Sequence, residues 1–201
     1  FEEKKTMTTG DGGMICSNNK KLLKNVKAMR WVGIDKDNWK KFSLYTKANK
    51  DAYHWFYEIR TLGYKYNMND LAASIGLAQL KKLKKMNFKR SQIIKLYLNL
   101  LKNIKKIDLL VPYNPNKYTY QIFGIRYNKR DDLIVKLKSK GIATGCHWTP
   151  MTKQPLFKRF KNNCNYIEKE IDKCLTLPLH PDLTKKEVEF ICKQIKISLS
   201  N

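Results

Sequence analysis

The chain has 201 residues, of which 42% are hydrophobic and 11% aromatic, so it has enough apolar material for a folded core and is not a disordered polymer. It carries 41 Lys and Arg against 17 Asp and Glu, a formal net charge of +24. No apolar run approaches the ~20 residues of a membrane-spanning helix, and no secretory signal is visible. Five cysteines without a CxxC pair favour reduced thiols in the cytoplasm over a disulfide framework or a metal site.

The first third of the chain predicts one short strand and one helix. Residues 13–17, GMICS, follow a glycine-rich turn and predict a buried strand. Residues 20–33 place apolar side chains at helical spacing, and Gly33 is a suitable end for that helix. Residues 34–60 are irregular and rich in aromatic side chains, and we expect loops there with a short strand or two, with His54 in a loop.

The most strongly periodic segment covers residues 69–104 and predicts one long helix, capped by Asn67 or Asn69. The elements predicted after it, in chain order, are a strand at 118–127, a helix at 130–141, a strand at 142–148, a helix at 164–174, an extended segment at 175–183 and a closing helix at 184–197 that begins with a capping box from Thr184 to Glu187. This order predicts a small α+β unit.

Lys5 precedes the turn TMTTGDGG near the start of the chain. A lysine held in a partly desolvated pocket loses part of its positive charge and can attack a carbonyl group, including that of pyridoxal phosphate. The simpler interpretation is a surface lysine before a polar turn, in which Thr8 and Thr9 satisfy the turn itself. The residues alone leave both interpretations open.

Four segments together resemble the DegT/StrS-type nucleotide-sugar aminotransferases. KTMTTGDGG at 5–13 is similar to that family's motif of a cofactor lysine, a Ser/Thr pair and Gly-acid-Gly-Gly. The other three are LGYKYNMNDLAASIGLAQLKKL at 62–83, RDDLIVKLKSKGIATGCHWTP at 130–150 and LTLPLHPDLTKKEVEFI at 175–191, which match family segments in the same order.

The resemblance implies an α/β fold of the PLP fold type I class, of which this chain would be the C-terminal part. Residues 1–68 would end the large cofactor domain, residues 69–104 would form a linking helix and residues 105–201 a small α+β domain. It also implies transfer of an amino group from glutamate to a nucleotide-linked keto sugar, with pyridoxal phosphate as cofactor. Family members use about as much chain again before the lysine, so we expect these 201 residues to be inactive alone.

The resemblance also implies roles for individual residues. Lys5 would bind the cofactor and move protons, and Lys65 and Asn67 would reach across a homodimer interface, in the loop 63–68, to the phosphate of the neighbouring active site. His147 and Tyr64 would line the substrate entrance, with Trp148 beside them. The simpler interpretations are a polar loop before a helix and hydrogen-bonded or packed structural side chains.

Departures from the family pattern concern neighbours of these residues. Glu2 stands where the family usually has His, Gln121 where many members have His, and His180 where Tyr is common. They bear on substrate specificity more than on the reaction. In a sister activity of the family, sugar dehydration, the lysine is replaced by His, and Lys5 argues against that activity.

Two alternatives remain beside the enzyme: a non-catalytic remnant of the family and a basic module that binds nucleic acid. The second is disfavoured because arginine is scarce, the lysines are scattered and no helix-turn-helix, zinc or RNP motif is present. An AT-rich genome would produce the same excess of lysine. Nucleic-acid affinity that falls steeply with salt and depends on sequence would favour the binding module.

Overall fold

The computed structural model describes most of the chain: residues 1–34, 57, 59, 61–112, 118–160 and 165–200. The chain divides into two compact units, Phe1–Leu80 and Lys81–Asn201. His54, expected in a loop, lies outside the described residues. Within the described part, every helix is too short or too polar to cross a membrane, and His, Cys, Asp and Glu side chains do not gather in groups of three that could hold a metal ion.

The first unit contains helix α1, Lys20–Met29, which begins where the sequence predicts. The side chain of Asn19 accepts a hydrogen bond of 3.0 Å from the Leu22 N–H, which satisfies one of the free donors of the first turn. The helix ends four residues before Gly33. The chain has already turned by then, since Val32 and Gly33 both have left-handed φ angles of 50° and 81°.

The buried strand predicted at residues 13–17 is wrong. Met14 and Ile15 are 74% and 63% exposed, and no described residue forms a ladder with this segment. A buried strand needs a neighbouring strand and a covering layer, and the described residues supply neither. Apolar residues at 13–17 predict burial only where another part of the protein covers them.

Helix α2, Asp70–Leu101, is the predicted long helix, three residues shorter at its end. Asn69 caps it by accepting a hydrogen bond of 2.8 Å from the Ala72 N–H. The boundary between the two units falls within α2. Its last turns are buried, whereas Leu71 and Leu77 near its start are 79% and 65% exposed. Only the second half of the helix therefore contributes to a core.

The second unit contains an antiparallel sheet whose described strands lie in the order β1 (Asp108–Leu110), β2 (Phe123–Arg126) and β3 (Cys174–Leu177). In this register Ile125 of the central strand lies opposite Leu109 on one side and Leu175 on the other. Because β2 pairs on both edges, its first three residues are buried. Side chains of the sheet form part of the hydrophobic core.

Two strand predictions need correction. The strand predicted at 118–127 is paired only at 123–126. The strand predicted at 142–148 does not form. Among the described residues, this segment pairs with β3 only through a single bridge from Gly145 to Thr176. The ring of His147 packs back over Gly145, and the chain leaves the sheet there.

Helices share the hydrophobic core of the second unit with the sheet. The remaining described helices are α3 (Arg130–Lys138), α4 (Asn165–Glu170), α5 (Lys185–Ser200) and short 3-10 turns at Met151–Lys153, Pro155–Phe160 and Ile171–Lys173. The predicted capping box of α5 is confirmed: the Thr184 hydroxyl accepts from the Glu187 N–H at 3.3 Å, and Glu187 accepts from the Thr184 N–H at 2.7 Å. At the other end, the ammonium groups of Lys106 and Lys136 donate to carbonyls of the last turn.

The core of the second unit joins the end of α2 to the sheet and to α3 and α5. The Tyr97 ring of α2 stacks on Phe123 of β2 with centroids 5.0 Å apart, and its hydroxyl donates to the Pro178 carbonyl at 3.0 Å. The other fully buried large side chains are Ile94, Leu101, Ile125, Leu133, Leu137, Leu175, Val188, Cys192 and Ile195. Burial on this scale, about 25 cal/mol per Å² of apolar surface, stabilises the unit.

The buried thiol of Cys192 predicts a loss of stability in alkali. Burial raises the pKa of Cys192 to about 12, whereas an unfolded thiol titrates near 8.5. From about pH 8.5 upward the unfolded chain loses a proton that the folded chain keeps, so the free energy of unfolding falls, by at most about 1.4 kcal/mol per pH unit. Urea unfolding of the full chain between about pH 7 and pH 10, followed by circular dichroism, measures this slope. Cys192→Ala should flatten it, and Cys146→Ala, at an exposed thiol, should not; equal slopes in all three proteins would contradict the prediction.

Candidate active site

Lys5 lies at the turn of a closed loop formed by residues 1–12. The Thr9 N–H donates to the Phe1 carbonyl and the Lys5 N–H to the Glu2 carbonyl, both at 3.0 Å. Gly10 has φ 85°, a conformation that glycine adopts without strain. The loop is therefore a defined structure that holds the lysine backbone in place.

The two threonines after Lys5 hydrogen-bond to the turn itself. The Thr8 hydroxyl donates to the Phe1 carbonyl and accepts from the Gly10 N–H, both at 3.0 Å. The Thr9 hydroxyl donates to the Asp11 carbonyl, and Thr9 is buried at 6% exposure. In this structure the threonine pair builds the loop that carries Lys5.

The Lys5 side chain is half-exposed and lies near a carboxylate. Its Nζ is 3.9 Å from Glu2 Oε2, with the two side chains 43% and 45% exposed. An exposed pair of this kind contributes about 0–1 kcal/mol and yields to a stronger partner. The amine therefore stays accessible to a ligand.

The loop packs on the start of α2 through positions without side chains. A Cβ on Gly76 of α2 would lie 3.0 Å from Thr9 Cγ2, and a Cβ on Gly12 would lie 3.1 Å from Met68 Cε. Two motif segments are thereby in contact although the contacting residues lie 56 and 67 positions apart in the sequence. This contact fixes the Lys5 loop against the segment that begins α2.

Residues 64–66 run along the end of α1. The Tyr64 N–H donates to the Met29 carbonyl at 2.8 Å, and the Tyr66 N–H donates to the Arg30 carbonyl at 2.9 Å. Carbonyl groups at a helix end have no partner within the helix. The loop 63–68 supplies those partners and is held in return.

Gly33 and Gly63 permit this approach. A Cβ on Gly33 would lie 1.8 Å from the Thr61 carbonyl oxygen, and a Cβ on Gly63 would lie 2.3 Å from the Gly33 nitrogen and 2.6 Å from the Met29 carbonyl oxygen. No other residue type fits at either position without moving the backbone.

Lys65 and Asn67 present different groups from this loop. Lys65 Nζ lies 3.2 Å from the centroid of the Trp31 ring, a cation–π contact. The Asn67 side-chain oxygen is buried and has no hydrogen-bond partner among the described residues. Tyr64 is 53% exposed and stacks on Tyr66 with centroids 5.2 Å apart.

His147 lies in the second unit. Its Nδ1 is 2.9 Å from the Thr176 hydroxyl, and its ring meets the edge of Trp148 with centroids 4.6 Å apart. Lys5, Tyr64, Lys65 and Asn67 therefore belong to two segments of the first unit that contact each other, and His147 belongs to the second unit.

The residues of the first unit fit the groups of pyridoxal phosphate. An accessible amine suits its carbonyl, and the Lys65 ammonium and the side-chain N–H group of Asn67 are donors that suit its phosphate. The packing roles of Trp31, Gly63 and Gly76 were not predicted from the sequence, and Gly33 was predicted only as a helix end. Gly76 carried a signal, because a glycine inside a helix costs about 1 kcal/mol relative to alanine and so marks a close approach.

The chain is similar to a known protein family over nearly its whole length. The sequence profile of the DegT/DnrJ/EryC1/StrS aminotransferase family matches residues 1–196. A protein described as uncharacterised, MJ1066 of Methanocaldococcus jannaschii, is 30% identical over 206 residues, which is 98% of this chain and 52% of that protein. The spore coat polysaccharide biosynthesis protein SpsC of Bacillus subtilis is 26% identical over 211 residues, covering 98% and 51%.

The fold is also that of a solved aminotransferase. TlmJ from Streptoalloteichus hindustanus superposes with a TM-score of 0.81 at 22% identity, over 98% of this chain and 50% of that one. The predicted fold class, the C-terminal part of this mixed α/β fold, is confirmed. The chain spans about half the length of the relatives it matches.

Gly63→Ala should release Lys65 from Trp31. The added Cβ meets backbone atoms at 2.3 and 2.6 Å, so the loop 63–68 must move from the end of α1. NMR of the native chain should find the Lys65 methylene proton resonances shifted upfield by the Trp31 ring, and NMR of the Gly63→Ala chain should find them at ordinary positions. Gly13→Ala, where a Cβ meets nothing within 4 Å, is the matched control. An upfield shift that persists in Gly63→Ala would show that this contact does not position Lys65.

Proposed function

Because the chain belongs to the DegT/DnrJ/EryC1/StrS aminotransferase family, we propose that the protein containing it transfers an amino group from glutamate to the keto carbon of a nucleotide-linked sugar. The observation that carries the proposal is the Lys5 loop, a closed turn that holds an accessible amine against the start of α2. The family is one of pyridoxal-phosphate enzymes, and we propose Lys5 as the residue that binds the cofactor here.

Lys5 has two tasks in this proposal. Its Nζ would hold the cofactor through the cofactor carbonyl, and once freed by the incoming amino donor the same amine would move a proton between the substrate carbon that bears nitrogen and the cofactor carbon. The bound cofactor supplies an electron sink for that carbon. Glu2 lies 3.9 Å from Nζ.

Lys65 and Asn67 are proposed to bind the cofactor phosphate of a neighbouring subunit in a homodimer. An ammonium and an amide N–H both donate to a phosphate dianion. The loop 63–68 is held by backbone hydrogen bonds to α1, so these donors are positioned before the phosphate arrives. A homodimer would then be required for activity.

The substrate side is proposed to include His147 and Tyr64. Tyr64 is half-exposed beside Lys65 and suits contact with a sugar or base ring. Since one relative is a spore coat polysaccharide biosynthesis protein, we propose a role in making amino sugars for a surface polysaccharide. Free thiols in the described part suit the cytoplasm, where we place the protein.

A further segment of about equal length is proposed to complete the active protein. The relatives are about twice as long as this chain. Apolar side chains such as Met14, Ile15 and Leu71 are 63–79% exposed in the first unit, which suits a surface that another part of the fold covers. On this proposal residues 1–68 close the cofactor domain, 69–104 link it to the small domain at 105–201, and the 201 residues alone are inactive.

Lys5→Ala in the complete protein should abolish both covalent cofactor binding and transamination. The loss of the general acid–base alone reduces turnover by about 10²–10⁴-fold. Absorbance of the bound cofactor and amino transfer from glutamate to a panel of keto sugar nucleotides measure the two effects. Lys4→Ala, one residue earlier in the same loop, should retain both. Normal absorbance and turnover in Lys5→Ala would refute the assignment, and a complete protein that binds no cofactor would instead be a remnant of the family.

A further inference from the structure

The imidazole of His147 is packed against two residues of the neighbouring backbone, Gly145 and Thr176. These two residues pair through both of their backbone groups, with N–O distances of 3.1 and 2.7 Å. A Cβ on Gly145 would lie 2.6 Å from His147 Cε1, 3.2 Å from its Nδ1 and 3.0 Å from the Thr176 hydroxyl. The ring therefore occupies space that any other residue at position 145 would fill.

The hydrogen bonds of Thr176 determine which nitrogen of His147 carries the proton. The Thr176 hydroxyl lies 3.1 Å from the Gly145 carbonyl and 2.9 Å from His147 Nδ1. A hydroxyl has one proton to donate, and a carbonyl can only accept. If that proton pointed at Nδ1, the Thr176 hydroxyl oxygen and the Gly145 carbonyl oxygen would face each other without a hydrogen between them. The proton therefore goes to Gly145, and Nδ1–H donates to the hydroxyl.

We propose that Gly145 and Thr176 are positioning residues that hold neutral His147 in the Nδ1–H form, so that Nε2 is a hydrogen-bond acceptor toward a bound ligand. No described residue hydrogen-bonds to Nε2, and that atom is not among the buried polar atoms without partners. Thr176 is itself buried at 8% exposure in β3, so its hydroxyl cannot turn to water. The edge contact with Trp148 fixes the ring from a further side.

This protonation state selects the chemistry of the ligand group that His147 contacts. A lone pair on Nε2 accepts a hydrogen bond from a hydroxyl or an amino group, whereas a phosphate dianion needs a donor. Within the proposed function, on which this identification of the ligand rests, His147 contacts a sugar hydroxyl and not the diphosphate. The protonation state itself is independent of that function.

Two-dimensional ¹H–¹⁵N NMR of the labelled full chain tests the proposal directly. The experiment is recorded at about pH 8.5, two units above the ordinary imidazole pKa of about 6.5. Correlations between the ring C–H protons and the two ring nitrogens then show which nitrogen is protonated. His147 should display the Nδ1–H pattern, with resonances assigned from His147→Gln. Exposed His180 serves as the internal control and should show the mixture, mostly Nε2–H, of a solvated side chain.

Thr176→Val and Thr176→Ser separate the hydroxyl from the shape of the side chain. Valine keeps the branched shape that suits β3 and lacks the acceptor, so His147 should shift to the Nε2–H pattern. Serine retains the hydroxyl and should restore Nδ1–H. An Nε2–H pattern in the native chain, or an Nδ1–H pattern that survives in Thr176→Val, would overturn the proposal. The native spectrum decides the question even if a variant fails to fold, and neither result depends on cofactor binding at Lys5.

Discussion

The approach of backbone to backbone at Gly33 and Gly63 is the constraint on which the first unit depends. A side chain at either position would overlap backbone atoms at 1.8–2.6 Å. Because both are glycine, the segment at 64–66 can donate to the carbonyls that end α1, and Lys65 reaches the Trp31 ring. Gly12 and Gly76 allow a close approach of a weaker kind in the Lys5 loop, because a Cβ there would meet side-chain atoms at 3.0–3.1 Å. Backbone packing and hydrogen bonds thus position the segments that carry Lys5 and Lys65. The half-exposed ion pair between Lys5 and Glu2 is too weak to do so.

The two units differ in how much of their apolar surface is covered. The second unit buries a continuous set of side chains from α2, the sheet, α3 and α5. The first unit leaves Met14, Ile15 and Leu71 largely exposed. A chain that spans half the length of its relatives is consistent with this contrast. On the proposed division of labour, the second unit is a small domain with its own core and the first unit is part of a cofactor region.

The sequence predicted those elements whose signals are local. The capping box at Thr184, the cap at Asn69 and the periodicity of α2 are properties of adjacent residues, and all three are confirmed. The strands at 13–17 and 142–148 were wrong because a strand exists only with a partner, and pairing is not local. The candidate residues came from a family resemblance. The glycines and Trp31 that hold them are visible only once distant segments are in contact.

Pyridoxal phosphate trapped on the complete protein tests the central claim most directly. Borohydride reduction makes the bond between the cofactor and its lysine permanent, and mass spectrometry of the peptides then identifies the lysine. The account predicts one pyridoxyl group per chain, on the peptide that contains Lys5. The label should be absent when the protein has first been incubated with glutamate, because amino transfer from glutamate releases the cofactor from the lysine. Labelling scattered over the many exposed lysines, unaffected by glutamate, would contradict it.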